Sequence, residues 1–560
     1  MRCGWLLAWV CLCLASGGAQ TILKASPLLD DDAATYRAVF KVELERRGSN
    51  TRGTLALHDP VRGALLYSLD LAANARKQLY VSVSLGDGSS RRYSRALLEW
   101  RSADGEHITT PLYPPLQTHL PIVVVGDMIG GLEMLNERRV TFPSAAIRSG
   151  GFEVPLRVYY RRPAALPDVW QALLELPIIV LVEGAETLSE SQWHALRRWL
   201  ASGGSLVVAV GSLGATLKAT PLAQLLPPIP LADRAATLAP LPSEAGWQIL
   251  MTDKAQRPIL YSKRVGLGQL YLFMGALEQP RWRNRAELPE IFNRVIQDSE
   301  GFPSERLSEQ FDDWLNEHTL QARYTGNRWG VLVLPLYLLG VWGLTVSLRR
   351  RRRLSSGFAP LTVLATIGAV AALVFAPRPS RAEPTLLSQT FLNETGVAIE
   401  VNYLYATLGA GRHTLALGAD TETLNLFAKP NATVQTHFSS ETPTLQIHCA
   451  SHTHLGVCML RPVADAPALK AYKQGNVLQV RNLSPERLVG VQIYSSDASE
   501  RSPTILWRQG VLNAGAQKSI PIAPQHKVWI EAFYTRTGAP VATLNGKPIR
   551  EVNVLYFYIP

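Results

Sequence analysis

The sequence predicts a multidomain, membrane-attached protein. Its expected parts are a β-sandwich, an α/β unit on a parallel sheet, two transmembrane helices and a C-terminal β-sandwich region. Three observations carry this. Two long charge-free apolar stretches flank a run of arginines. Short alternating strands fill both ends of the chain. Strand and helix patterns alternate between residues 119 and 303.

The opening MRCGWLLAWVCLCLASGGAQ has a positive residue, Arg2, then an apolar core and small residues. It reads as a signal peptide over 1–19, with an uncleaved anchor as the alternative. A lipoprotein is excluded, because Cys11 follows Val10 and Cys13 follows Leu12 where a small residue is needed. Residues 20–118 follow as short segments such as GTLALHD, ALLYSLDL and KQLYVSVSLG, divided by Gly-, Asp- and Asn-rich turns. That spacing predicts an immunoglobulin-like sandwich. His58 and His107 read as isolated surface residues beside turns.

The pattern changes at 119. HLPIVVVGD, FEVPLRVYYRR, PIIVLVEG and SLVVAVG are apolar strands, and IGGLEMLNERR, ALPDVWQALLEL and TLSESQWHALRRWLASGG are read as helical. Ser189 and Gln192 form an S-x-x-Q capping box. Asp127, Glu183 and Glu186 fall at or just beyond the C-terminal ends of parallel strands, where open α/β sheets bind ligands. They are candidate cleft residues, against the plainer reading that they cap turns. GDMIGG matches no nucleotide-binding pattern, so no cofactor is expected.

Residues 304–328 read as an amphipathic juxtamembrane helix. The charge-free stretches 329–348 and 358–376 are each long enough to span a bilayer. The loop 349–357 between them holds Arg349, Arg350, Arg351, Arg352 and Arg353. That run predicts a cytoplasmic loop, with both large blocks outside the cytoplasm of a bacterial inner membrane. Part of the net charge of +11 belongs to this run, which argues against nucleic-acid binding. After a linker at 377–384, residues 385–560 are β-rich. Cys449 and Cys458 predict one disulfide in an oxidising compartment. The stretch HCASHTHLGVC leaves a metal site or two free thiols as alternatives, although its spacing matches no standard zinc motif.

The middle of the chain resembles uncharacterised bacterial membrane proteins with an Ig-like domain and a degenerate class I glutamine-amidotransferase-like domain. The resemblance rests on Gly126-Asp127, LPDVW (166–170), PIIVLVEG, LSESQWHALRRWLASGGSLVVAVG and the GLGQLYL pair near 266–272. It implies a flavodoxin-like parallel sheet. In active relatives it also implies a cysteine on the turn after SLVVAVG, with a downstream histidine. Here no cysteine occurs between residues 14 and 448, and no histidine between His194 and His318. A thiolate nucleophile needs both the sulfur and a base, so amidotransferase chemistry is not expected. Ser212, with His194 as base, is the weak substitute, because VGSLG places its first glycine one position early for a nucleophile elbow.

The expectation is therefore a non-catalytic, membrane-anchored cell-envelope protein that binds or scaffolds other envelope components. The alternatives are an atypical envelope hydrolase and a polysaccharide binder. The last would use an aromatic row drawn from Tyr403, Tyr405, Trp507, Trp529, Phe533 and Tyr534.

Overall fold

The computed structural model describes residues 20–299 apart from 30–36, 60–62, 85–95, 114–118, 137, 142–152, 227–246 and 284–286. It then describes 307 and 310–316, and 384–559 apart from short stretches between strands. Strands make up 59% of it. This corrects the predicted fold class. Among the described residues, α-helix longer than a single turn occurs only at Glu190–Ala201, Leu288–Asp298 and residues 310–316.

The correction has a local cause. The expected helix IGGLEMLNERR shortens to a 3-10 turn at Glu133–Leu135, beside Gly131 at φ 110°. ALPDVWQALLEL, interrupted by Pro167, gives only the 3-10 turn Trp170–Leu173, beyond a second turn at Pro163–Ala165. Stretches this short cannot offset the cost of helix nucleation without a long packed face. Glu190–Ala201 does persist. Ser189 Oγ accepts from the Gln192 N–H, and the Gln192 side chain accepts from the Ser189 N–H, closing the capping box. Trp193, Leu196, Trp199 and Leu200 then bury one face.

The described strands form five sheets. The first, a mixed sheet, holds Leu120–Val125, Ile178–Leu181 and Ser205–Ala209, each buried at every position. Five of its strands are parallel, in the spatial order Glu153–Arg161, Leu120–Val125, Ile178–Leu181, Ser205–Ala209, Gly268–Phe273. The second, a central sheet, is made of C-terminal strands around Thr385–Leu392, Ala398–Leu408 and Arg550–Ile559. The third is a bridging sheet. In it Ala432–Phe438 pairs in parallel with Gly63–Leu71, so both ends of the chain share one nine-stranded sheet. Two three-stranded sheets, Gln20–Pro27 with Arg37–Arg47 and Arg76–Ser84, and Leu469–Gln474 with Val477–Asn482 and Gln517–Pro521, complete the set.

The cores follow the strand alternation. One face of the central sheet, through Leu404, Ala406 and Val457, packs with Leu415, Leu445 and Ile447 of the bridging sheet. Its opposite face, through Ile399, Val401, Tyr403 and Tyr405, shares a core with Trp199 and Leu200 of the long helix. Phe311 and Leu315 enter that same core. The 310–316 helix, expected at a membrane surface or leading into a span, therefore lays its apolar side on the central sheet.

No helix among the described residues is long and apolar enough to cross a membrane. This overturns the two-span reading, its membrane and transmembrane assignments and the inner-membrane location built on it. The segments 329–348 and 358–376, the run Arg349 to Arg353 and the leader at 1–19 lie outside the described residues.

The disulfide is likewise corrected: Cys449 and Cys458 are both free and buried. Their strands, Pro443–Cys449 and Thr453–Val463, are consecutive but belong to facing sheets rather than one hairpin. Cys449 enters the core between those sheets. Cys458 points to the opposite side of the central sheet, its Sγ 3.8 Å from the Leu307 carbonyl. The central sheet itself separates the two thiols.

Candidate functional site: a twin cleft beside the parallel strand ends

The spatial order of the parallel strands reverses direction between Leu120–Val125 and Ile178–Leu181. Open sheets leave a crevice at such a point, outside the carboxyl ends of the strands. The two strand ends are tied together here. The Asp127 N–H donates to the Glu183 carbonyl at 2.7 Å. Gly184 takes φ +94°, and a Cβ on it would come within 2.5–2.8 Å of the Asp127 carboxyl group. Only glycine admits that approach.

The three predicted cleft residues separate at this point. Asp127 is exposed and lines a cleft of about 530 Å³ with Gln78, Tyr80, Arg162, Asp168 and Thr187. Glu183 is exposed but is not part of that wall. Glu186 caps its own turn, its Oε2 accepting from the Gly184 N–H at 3.0 Å. A second cleft of about 450 Å³ adjoins the first and shares Gln78, Tyr80 and Asp168. It runs on to Asp420, Glu422 and Phe438. Residues from the N-terminal, middle and C-terminal parts of the chain thus meet in one twin cleft of ligand size.

The polar groups of its shared wall are held in place. Gln78 Nε2 donates to the Tyr80 hydroxyl at 2.7 Å. Burial, and then the Asp168 carboxylate, push the Tyr80 phenol above its ordinary pKa, so its proton is retained. Gln192 is committed to structure. Its Nε2 donates to the carbonyls of Pro163 and Leu166, each at 2.7 Å, which fixes the turn carrying Arg162.

The nucleophile candidate belongs to the turn that follows Ser205–Ala209. Ser212 is in the single-turn helix Val210–Leu213. A Cβ at Gly211 would meet the backbone of Gly275 and Ala276 at 2.6–2.8 Å, so this glycine serves close packing. His194 is exposed on the outer side of the Glu190–Ala201 helix. His194 lines neither half of the cleft.

Two groupings escaped sequence reasoning. Gln78 and Tyr80 sit in the 20–118 block, which the strand spacing marks only as a sandwich. The alternation in KQLYVSVS puts them on one face, but only the tertiary fold sets them against Asp127 and Asp168. His58 and His107 are not isolated either. Their Nε2 atoms lie 3.1 and 2.5 Å from the two oxygens of Glu99, and Arg101 pairs with the same carboxylate. Arg101 and His58, then His107, hold Glu99 down to about 2 against the opposing effect of desolvation. Among the described residues, no group of three or more metal-ligating side chains is placed to hold an ion. In the HCASHTHLGVC stretch His454 Nδ1 instead bonds the Tyr405 hydroxyl at 2.8 Å.

The aromatic row is divided as well. Tyr403, Tyr405 and Tyr534 are core residues, while Phe533 is 38% exposed. Trp529 stacks on Tyr494, at 5.3 Å between centroids and 13° between planes, so each ring covers a face of the other.

No protein-family model matches the chain, and no curated protein matches it. Among solved structures it is similar to the yeast delta-COP-I mu-homology domain at 8% identity, over 32% of this chain and 97% of that one, with a TM-score of 0.19. It is also similar to a cross-linked bacterial adhesin from Mobiluncus mulieris at 7% identity, over 32% and 99% of the two chains, with a TM-score of 0.07. Likeness at that level carries no argument about fold or function.

Proposed function

We propose that this chain is a binding or assembly protein without a catalytic role, and that the twin cleft is its contact surface. One observation carries the reading. The cleft collects exposed carboxylate, guanidinium, amide and hydroxyl groups from three distant parts of the chain, and the exposed His194 is not among them. Nucleophilic catalysis requires a base within hydrogen-bond reach of the nucleophile. Recognition requires only fixed polar groups in a concave site.

The test compares cross-linked capture by the wild-type chain and by a variant carrying Asp127→Arg and Asp168→Arg. Both substitutions are at exposed positions. The expected result is one or more partners held by the wild type and lost from the variant, with melting temperatures unchanged. Recovery of the chain alone, or identical partners with both proteins, overturns the reading. So does turnover of ester or amide substrates that disappears in Ser212→Ala.

A further inference from the structure

The shared wall of the twin cleft is a sheet edge. Arg76–Ser84 is the outer strand of its three-stranded sheet, and among the described strands it pairs only with Arg37–Arg47. Residues 78 to 82 all line the 450 Å³ half of the cleft. Consecutive residues in one lining mean that the strand presents its backbone edge there, since side chains alternate between faces.

The register shows which peptide groups point outward. The Ala75 carbonyl accepts from the Arg46 N–H at 2.8 Å, so alternate residues from 75 onward turn their N–H and C=O toward Arg37–Arg47. On the far side, the Val39 carbonyl accepts from the Leu28 N–H at 2.8 Å, and Val39 stands opposite Ser82. Gln78 and Tyr80 therefore turn their peptide groups into the cleft. Neither has another backbone partner among the described residues.

Beyond Arg76 and Lys77 at its start, this edge lacks the usual protection. The stretch QLYVSVS (78–84) contains no charged residue and no proline, although exposed edges are commonly blunted by lysine, proline or a bulge. The 450 Å³ half carries charge of one sign, unlike the adjoining half with Arg162. Among the described residues its lining includes Asp168, Asp420 and Glu422 and no lysine or arginine. Arg198 reaches Asp420 only at 3.7 Å. Apolar contact is offered by Val169, 39% exposed, and by the Tyr67–Phe438 stacked pair at 4.8 Å.

We infer that the edge of Arg76–Ser84 captures an extended, basic peptide segment of a partner protein by strand addition. This inference rests on the binding reading above and names the partner's chemistry. Main-chain hydrogen bonds to Gln78 and Tyr80 supply the pairing. Lysine or arginine on the incoming strand meets Asp168 and Asp420, and alternate apolar residues meet Val169 and Phe438. At about 3.4 Å per residue, positions 78 to 82 accept a strand of roughly five residues.

The test uses the full chain and a random heptapeptide display library. The expected selection is rich in lysine or arginine alternating with β-branched residues. A selected peptide should slow amide exchange across 76–84 at least tenfold. Its affinity should fall at least tenfold in Gln78→Pro and be retained in Gln78→Ala. Proline at an outward-facing edge position removes the donor without breaking the existing ladder, and an unchanged melting temperature checks this.

Equal binding to both Gln78 variants, with loss in Asp168→Lys, overturns strand addition and leaves the cleft-binding reading intact. Selection of acidic peptides, or of none, also overturns the inference, and the capture experiment above then decides the broader reading alone. A dimer that Gln78→Pro converts to monomer would assign the edge to a second copy of the chain and likewise overturn it.

Discussion

Glu99 shows what the tertiary fold adds to individual residues. The sequence reads His58 and His107 as unrelated, 49 positions apart. Adjacent strands place them diagonally on either side of one carboxylate, because His58 pairs with Leu97 and His107 with Arg101, each two positions from Glu99. The Glu99 carboxyl sits at about 2, below its ordinary 4.5, so the folded state binds the proton more weakly than the unfolded state. The stability from this group is fully present above about pH 4.5 and is lost as pH falls through about 2. In melting-temperature profiles from pH 5 to 2, the wild type should fall more steeply than Glu99→Gln. Parallel profiles would remove the cluster's role. Cys449 and Cys458 teach the opposite lesson: their spacing suits a hairpin, yet nothing local in the sequence says that the second strand changes sheet.

At the level of elements, legibility tracked how local the determining force is. The capping box at Ser189 is a four-residue interaction and is legible. The apolar runs that form Leu120–Val125, Ile178–Leu181 and Ser205–Ala209 are legible as strands because burial on both faces needs continuous apolar sequence. The expected crossover helices were misread, since a few apolar residues in a Gly- or Pro-containing stretch fit a 3-10 turn equally well. The 310–316 helix was read as amphipathic, but its apolar side had no visible destination. That destination is Gly456, where an added Cβ would stand 2.9 Å from atoms of both Phe311 and Leu315. Gly456→Leu should overpack this contact at a cost of about 1–3 kcal/mol. Amide exchange in 310–316 should speed up while exchange in the Glu190–Ala201 helix is little changed. Unaltered exchange in 310–316 would mean that the helix is not held by this packing.

The whole molecule is more continuous than its sequence segments suggest. The parallel pairing of Ala432–Phe438 with Gly63–Leu71 and the core joining Trp199 to Tyr403 bind both halves into one body. Strand alternation looks the same whichever partner a strand finds, so this pairing was illegible, as was the twin cleft that depends on it. The expected consequence is mechanical. If a protease site is introduced within 349–353 and cut, the two fragments should elute together and melt in one transition. Separation without denaturant would show that the shared sheet and core do not hold them.

That same parallel pairing also sets a schedule for synthesis. Gly63–Leu71 emerges from the ribosome 371 residues before the strand that completes its edge, as Ala64 pairs with Gln435. At about 5–20 residues per second the wait is roughly 20–70 s. Throughout that interval the nascent chain exposes an unpaired strand edge that only its own far end can close. A product truncated or stalled before residue 432 would therefore retain a sticky edge, and a cell making this chain needs a way to shield it until Ala432–Phe438 has been made.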